Sequence, residues 1–177
     1  YQLTAWKGWR WSTATGYLKP ARGRANLHIE TEAQATGVVM EGQRAVGVRY
    51  RQGGVDKVAK ASGEVLLSAG AIQSPQLLQL SGIGPAALLQ KHGIPVVHDL
   101  PGVGENLQDH LQIRMIFEMN QRTTNDDLNS LWGQAKRGMQ WFFKRSGPLA
   151  GGVNQGGCFM KALPEEAATP GVQVHVA

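Results

Sequence analysis

The stretch Glu64-Val-Leu-Leu-Ser-Ala-Gly70-Ala-Ile-Gln-Ser74-Pro75-Gln-Leu-Leu-Gln-Leu80-Ser-Gly82-Ile-Gly84 decides the fold. Its first part is continuously apolar at Val65-Leu66-Leu67, which predicts a strand buried on both faces of a layered α/β sheet. Gly70 and Ala71 then lack bulk, so the backbone there can pass close to a phosphate, a ribose or a ring. Ser74-Pro75 predicts a helix start, with Ser74 as N-cap, Pro75 in the first helical position and Leu77, Leu78 and Leu80 on the buried side. Gly82 ends that helix. Ligands of open α/β sheets sit beyond the carboxyl ends of strands, and the free N–H groups near Ser74 could face an anion. At this point two readings stand side by side: a ligand contact, or a strand-to-helix turn that is tight only for packing.

Upstream of this stretch the pattern is β. Leu27/Ile29 and Val46/Val48/Tyr50 alternate with polar residues, Val38-Val39 is denser, and turn chemistry falls at Glu41-Gly42-Gln43 and Gln52-Gly53-Gly54. Three or four antiparallel strands in a meander follow from that spacing. Earlier still, Trp6-Lys-Gly-Trp9-Arg-Trp11 predicts a buried aromatic cluster, with a ligand mouth as the sharper alternative. Residues 12–19 predict a short helix capped by Ser12 and stopped before Pro20. Downstream, Pro85 to about His92 predicts a second short helix stopped by Gly93, Ile94–His98 a short strand, and residues 100–110 a structured loop. Leu111–Met119 alternates as a strand and Leu128–Phe143 is helical in pattern. Ser146–Gly157 is a Gly-rich loop, and Phe159-Met160 and Val172–Val176 are strands joined by a Pro/Glu/Ala connector. The change of pattern near residues 111–120 predicts two parts: residues 1–112, and a second, sheet-based unit over 113–177. Both chain ends, Tyr1 and the unterminated strand at Val176, suggest an internal piece of a longer protein.

Composition narrows the function. The chain has 177 residues, 42% of them hydrophobic and 18% charged, as in a domain that buries a core. Its net charge of +5 suits an anionic cofactor or surface. The basic residues are scattered, and Lys144-Arg145 is too short for a nucleic-acid tract, so no nucleic-acid partner is expected. A single cysteine, Cys158, excludes an internal disulfide and a Cys-based zinc site, and is expected to be a small buried residue. No apolar run approaches the ~20 residues that span a bilayer. A cytoplasmic protein is expected, with peripheral association at the inner membrane left open.

Several motifs lapse on context. Gly82-Ile-Gly84-Pro-Ala-Ala87 matches a dinucleotide fingerprint, yet the preceding segment is helical rather than a strand, and Pro85 lacks an N–H for phosphate. A helix stop followed by a new helix is the better reading. Gly102-Val-Gly104 is a bare G-x-G. His28-Ile-Glu30 lacks the Cys pair of a zinc deaminase. Asp109-His110 is either a carboxylate-oriented proton-transfer pair or, more commonly, a loop tie. Ser12 and Ser81 lack nucleophile-elbow context. No metal constellation survives.

The run Gly70–Gly84 resembles the second signature of the glucose–methanol–choline (GMC) oxidoreductases at Gly70, Ala71, Ser74, Pro75, Leu77, Leu78, Ser81, Gly82, Ile83 and Gly84. Trp11–Ala14, Gly16–Leu18, Asn26-Leu27, Arg44–Val48, Ile94–His98 and Pro101–His110 are also similar to family segments. The resemblance implies an α/β (mixed α+β) fold, part of an FAD-binding Rossmann-like domain with a β-meander, followed by the start of a substrate domain. It implies FAD as cofactor and oxidation of a primary alcohol, choline or similar, to the aldehyde by hydride transfer to the flavin, with the electron acceptor open. It places Ala35, where the family usually has Val, beside the adenine through main chain, and Ala69, Gly70, Ala71 and Ser74 beside the cofactor. The family's phosphate-binding glycine motif and its catalytic histidine have no counterpart in these residues, so no catalytic role is carried over. Substrate selection is expected to come largely from residues after Val153. The rival reading is a flavin- or nucleotide-binding module without chemistry.

Overall fold

A computed structural model describes residues 4–152, 156–161 and 170–176. By internal contacts the chain divides into two compact units, one of His28–Arg114 and one of Tyr1–Leu27 with Met115–Ala177.

The second of these opens with a hairpin of β1 (Ala5–Trp6) and β2 (Trp9–Arg10). Lys7 and Gly8 form its two-residue loop at φ 50° and 73°, the doubly positive geometry that matches strand twist. A π-helix over Ala14–Leu18 and the three-residue α1 (Lys19–Ala21) follow. The helix expected over 12–19 therefore forms, opened by Ser12, whose Oγ accepts the Thr15 N–H at 3.3 Å. Pro20 lies inside α1 rather than after the helix.

In the other unit, β3 (Ala33–Glu41), β4 (Arg44–Gln52) and β5 (Val55–Lys60) make the expected meander, antiparallel in the order β3-β4-β5. Gly42 at φ 59° and the Gly53-Gly54 pair at 58° and 79° turn its two corners. The alternation at Leu27/Ile29 does not form a strand.

Then α2 (Gly70–Leu80), β6 (Ile83–Gly84), α3 (Ala86–Lys91) and β7 (His98–Asp99) pack on one another, with α2 lying against β3. The core of this unit is small: Val38, Leu77, Leu89 and Val103 are the buried apolar residues. Two expectations fail here for one reason. Neither Glu64–Gly70 nor Leu111–Met119 is a strand: residues 64–69 and 111–119 run without regular structure, Gly70 already belongs to α2, and Leu66 is 76% and Leu111 97% exposed. A strand exists only through bonds to a neighbour, and no strand among the described residues pairs with either segment.

The remaining chain contains α4 (Thr124–Leu128), α5 (Leu131–Lys144), a 3-10 turn at Pro148–Ala150, and the hairpin of β8 (Gly156–Met160) with β9 (Val172–Val176). The helical pattern from residue 128 is thus two helices with a break at Asn129-Ser130. Thr123 and Asp126 form a reciprocal capping box on α4, and Ser130 Oγ accepts the Gly133 N–H at 3.0 Å to start α5. Cys158 is exposed on β8, not buried, because the two-stranded hairpin has no layer over it among the described residues. The connector over 162–169 and Val153 lie outside the described residues.

Candidate functional site

The turn from residue 68 to α2 differs from its sequence expectation in an informative way. The helix begins at Gly70, four residues before Ser74, and Pro75 sits inside it. Ala69 enters at φ −87° and ψ 6°, and Gly70 takes φ 90°, a conformation an L side chain resists. The hydroxyl of Ser74 is not an N-cap. It reaches back and accepts the Ala69 N–H at 3.0 Å, closing the turn from within the helix. Pro75 has no N–H for the carbonyl four residues earlier, that of Ala71, so this first turn is loosely bonded from both sides.

The consequence is a row of main-chain donors at the helix start. The first N–H groups of a helix have no upstream carbonyl, and Ala69 provides no side-chain cap. Beside this helix start lies a shallow, open depression of about 400 Å³ lined by Ala69, Gly70, Ala71, Ile72 and Gln73, with an almost entirely apolar surface. No charged side chain lines it, and a Cβ built on Gly70 would meet nothing within 4 Å. Small residues and an apolar surface let a flat ring lie close against the backbone here. That surface fits the ring portion of a nucleotide cofactor.

Of the five residues expected beside a cofactor, the depression brings together Ala69, Gly70 and Ala71. Ser74 stands one turn in and shapes the depression through Ala69 rather than lining it. Ala35 lies on β3, opposite Tyr50 and next to a bulge at Thr36, and does not line the depression.

Behind the depression lies a set of polar ties that sequence reasoning missed. Ser81 is buried at the end of α2; its Oγ accepts the Val38 N–H at 2.7 Å and donates to the Leu77 carbonyl at 2.6 Å. It therefore covers the open edge of β3, whose N–H would otherwise be buried without a partner. Gln79 Nε2 donates to the Val103 carbonyl at 3.0 Å, and Gly104 leaves it room, since a Cβ there would stand 2.8 Å from that nitrogen. Gly82 at φ 84° allows the Pro95 carbonyl to press against its Cα, and its own carbonyl accepts the Val97 N–H at 2.8 Å. Asp99 Oδ1 accepts the Ala86 N–H at 2.9 Å and so caps α3 from thirteen residues downstream. Gly82-Ile83-Gly84 is thus a helix-to-helix corner, as its sequence context indicated, with one added feature: Ile83-Gly84 pairs in parallel with His98-Asp99. Ser81 was legible as a signature position without nucleophile context; its role as a tie to Val38 and Leu77 was not.

Asp109-His110 is a loop tie in the structure: the carboxylate accepts the His110 main-chain N–H at 2.7 Å. Among the described residues no group of three His, Cys, Asp or Glu side chains could hold a metal.

The sequence profile of the GMC oxidoreductase family matches residues 1–112. The chain belongs to that family. It is 47% identical over 169 residues to an oxygen-dependent choline dehydrogenase of Pectobacterium carotovorum, an alignment covering 96% of this chain and 30% of the relative. It is 46% identical to an alcohol dehydrogenase (acceptor) of Pseudomonas putida, covering 99% of this chain and 32% of that protein. In structure it is similar to an FAD-dependent oxidoreductase from Chaetomium thermophilum, with a TM-score of 0.74, 33% identity, and coverage of 81% of this chain and 26% of that one. The GMC chain therefore spans about 30% of the length of the curated relatives it matches. Its mixed helix-and-strand architecture agrees with the expected fold class, and no helix among the described residues is long and apolar enough to cross a membrane.

Proposed function

We propose that the chain is the flavin-contacting part of an FAD-dependent oxidoreductase that converts a primary alcohol, choline or a similar one, to the aldehyde. The observation that carries this reading is identity of 46–47% along nearly the whole chain to choline and alcohol dehydrogenases. The depression at Ala69–Gln73 supports it from the geometric side, since its small residues and apolar surface suit a ring of FAD. Residues 1–112 are read as part of the FAD-binding domain, in line with the extent of the family match, and residues 113–177 as the beginning of the substrate domain.

When bound, FAD supplies a hydride acceptor; the alcohol carbon gives up hydride and its hydroxyl gives up a proton. This chain's residues bind and orient. Gly70 and Ala71 would lie against the cofactor, Ser74 keeps the Ala69 turn in shape by accepting its N–H, and the Ala35 main chain would lie by the adenine. No residue here is assigned the base that takes the proton.

The test is anaerobic addition of choline, and separately of simple primary alcohols, to the full-length flavoprotein. Bleaching of the oxidised flavin band by one of them is expected and identifies the substrate. An oxidised spectrum unchanged by any alcohol overturns the dehydrogenase reading in favour of a binding module without chemistry.

A further inference from the structure

The middle of β3 is weakly held by its own sheet. The strand pairs with β4 from Ala33 to Ala35, skips Thr36, resumes at Gly37↔Arg49, Val38↔Val48 and Val39↔Gly47, and shifts again between Val39 and Met40. Three residue pairs therefore stand between two irregularities, and two of the three contain a glycine. A short, glycine-containing stretch flanked by bulges specifies its register poorly. Ala35 sits at the edge of that stretch, directly before the first irregularity.

What fixes the stretch comes from outside the meander. The Val38 N–H points away from β4 and donates to Ser81 Oγ at 2.7 Å, while the same hydroxyl donates to the Leu77 carbonyl at 2.6 Å. The relay is buried at all three residues, with Val38 5%, Ser81 7% and Leu77 8% exposed. Its direction is settled: the hydroxyl proton goes to Leu77, which leaves a lone pair for Val38. Ser81 also closes α2, the helix whose start at Gly70 lines the depression. One helix thus carries the Ala69–Ala71 turn at its beginning and the tie to β3 at its end.

We propose that Ser81 is a positioning residue for the cofactor: its hydroxyl locks the bulged part of β3 against α2, and so holds Ala35 and the Ala69–Ala71 turn in the relation that one FAD molecule requires. The inference rests on the reading that both segments touch FAD. Ser81 does not line the depression and acts through Val38, three residues from Ala35. Without the hydroxyl, the Val38 N–H is buried with no acceptor, and the strand regains one only by moving. FAD then has to draw the strand back as it binds, and affinity falls by that cost.

The test is titration of FAD into the full-length protein freed of flavin, well below its melting temperature. Ser81→Ala weakens FAD on the order of ten-fold, the equivalent of one buried donor left unsatisfied. Ser81→Thr keeps the hydroxyl and restores most of the affinity. Leu89→Ala, on α3 and in neither segment, lowers the melting temperature yet leaves the FAD dissociation constant at the wild-type value. In the reloaded proteins, the visible circular dichroism of bound flavin changes for Ser81→Ala and returns for Ser81→Thr. Equal FAD affinity in wild type and Ser81→Ala overturns the proposal. So does an equal loss in Ser81→Ala and Leu89→Ala, which makes Ser81 a packing residue alone. Should Ser81→Ala not fold, hydrogen exchange of the wild type decides: FAD slows exchange across residues 35–39 and 77–81 together, and protection of one segment without the other overturns the proposal. A wild-type protein that takes up no FAD overturns the flavin reading, and this proposal with it.

Discussion

Residues 28–114 and the second unit, residues 1–27 with 115–177, solve the same problem of a small core in opposite ways. The first unit has four buried apolar side chains among its described residues, with side-chain-to-main-chain ties around them: buried ones from Ser81 to Val38 and Leu77, a half-buried one from Gln79 to Val103, and an exposed one from Asp99 to Ala86. Gly82 and Gly104 stand where the Pro95 carbonyl and the Gln79 amide press close. The second unit has no residue buried to that degree among those described. It is held by surface pairings of Asp127 with Arg122 and Arg137, and by Arg145 stacked among Trp9, Trp141 and Phe142. The contrast teaches that apolar content alone does not make a core. Leu89 is apolar and 1% exposed; Phe143 is apolar and 77% exposed.

That contrast can be broken by mutation in the full-length protein. The largest effect is expected at Leu89→Ala, which removes the most buried side chain and costs about 2–5 kcal/mol in denaturant unfolding. A cost below about 1 kcal/mol would mean the unit is not organised around this core. Ser81→Ala leaves the Val38 N–H and Leu77 carbonyl without their side-chain partner, for about 1–3 kcal/mol, and speeds hydrogen exchange of the Val38 amide. Unchanged exchange there would contradict the tie. Gly70→Ala meets no atom within 4 Å, so its cost is conformational only, about 1–2 kcal/mol. Loss of FAD from this variant beyond what the stability change explains would sharpen the cofactor assignment, and full retention would weaken it.

The smallest effect belongs to the second unit and depends on pH. The hydrogen bond from Arg137, aided by the charges of Arg122, Arg137 and Lys136, holds the Asp127 carboxyl below its ordinary value of 3.8, against a smaller opposing effect of burial. A depressed acid stabilises the folded state above its unfolded pKa, and that contribution disappears as pH falls through the folded one. Asp127→Asn should therefore flatten the loss of stability below about pH 4 while lowering stability slightly at neutral pH. Identical acid limbs for wild type and variant would show that Asp127 contributes nothing.

Much of this was legible from residue order. Period-2 alternation and the Gly turns placed β4, and the apolar pair Val38-Val39 placed β3; Pro85 and Gly93 bracketed α3; and Gly82–Gly84 read correctly as a corner. Local signals sufficed there because each element's partner is its neighbour in sequence. The start of α2 was misread because Ser74-Pro75 has the form of an N-cap, while the conformation is set by Gly70 and by a hydroxyl bonding backwards to Ala69.

The sequence by itself determined the family, through the run Gly70–Gly84. Tertiary structure alone decided that Ser81 covers the edge of β3, that Asp99 caps α3, and that Arg145 stacks among Trp9, Trp141 and Phe142. The physical reason is common to all three. Each depends on a group brought from a distance to satisfy a particular N–H, carbonyl or ring, and spacing along the chain carries no record of such a meeting.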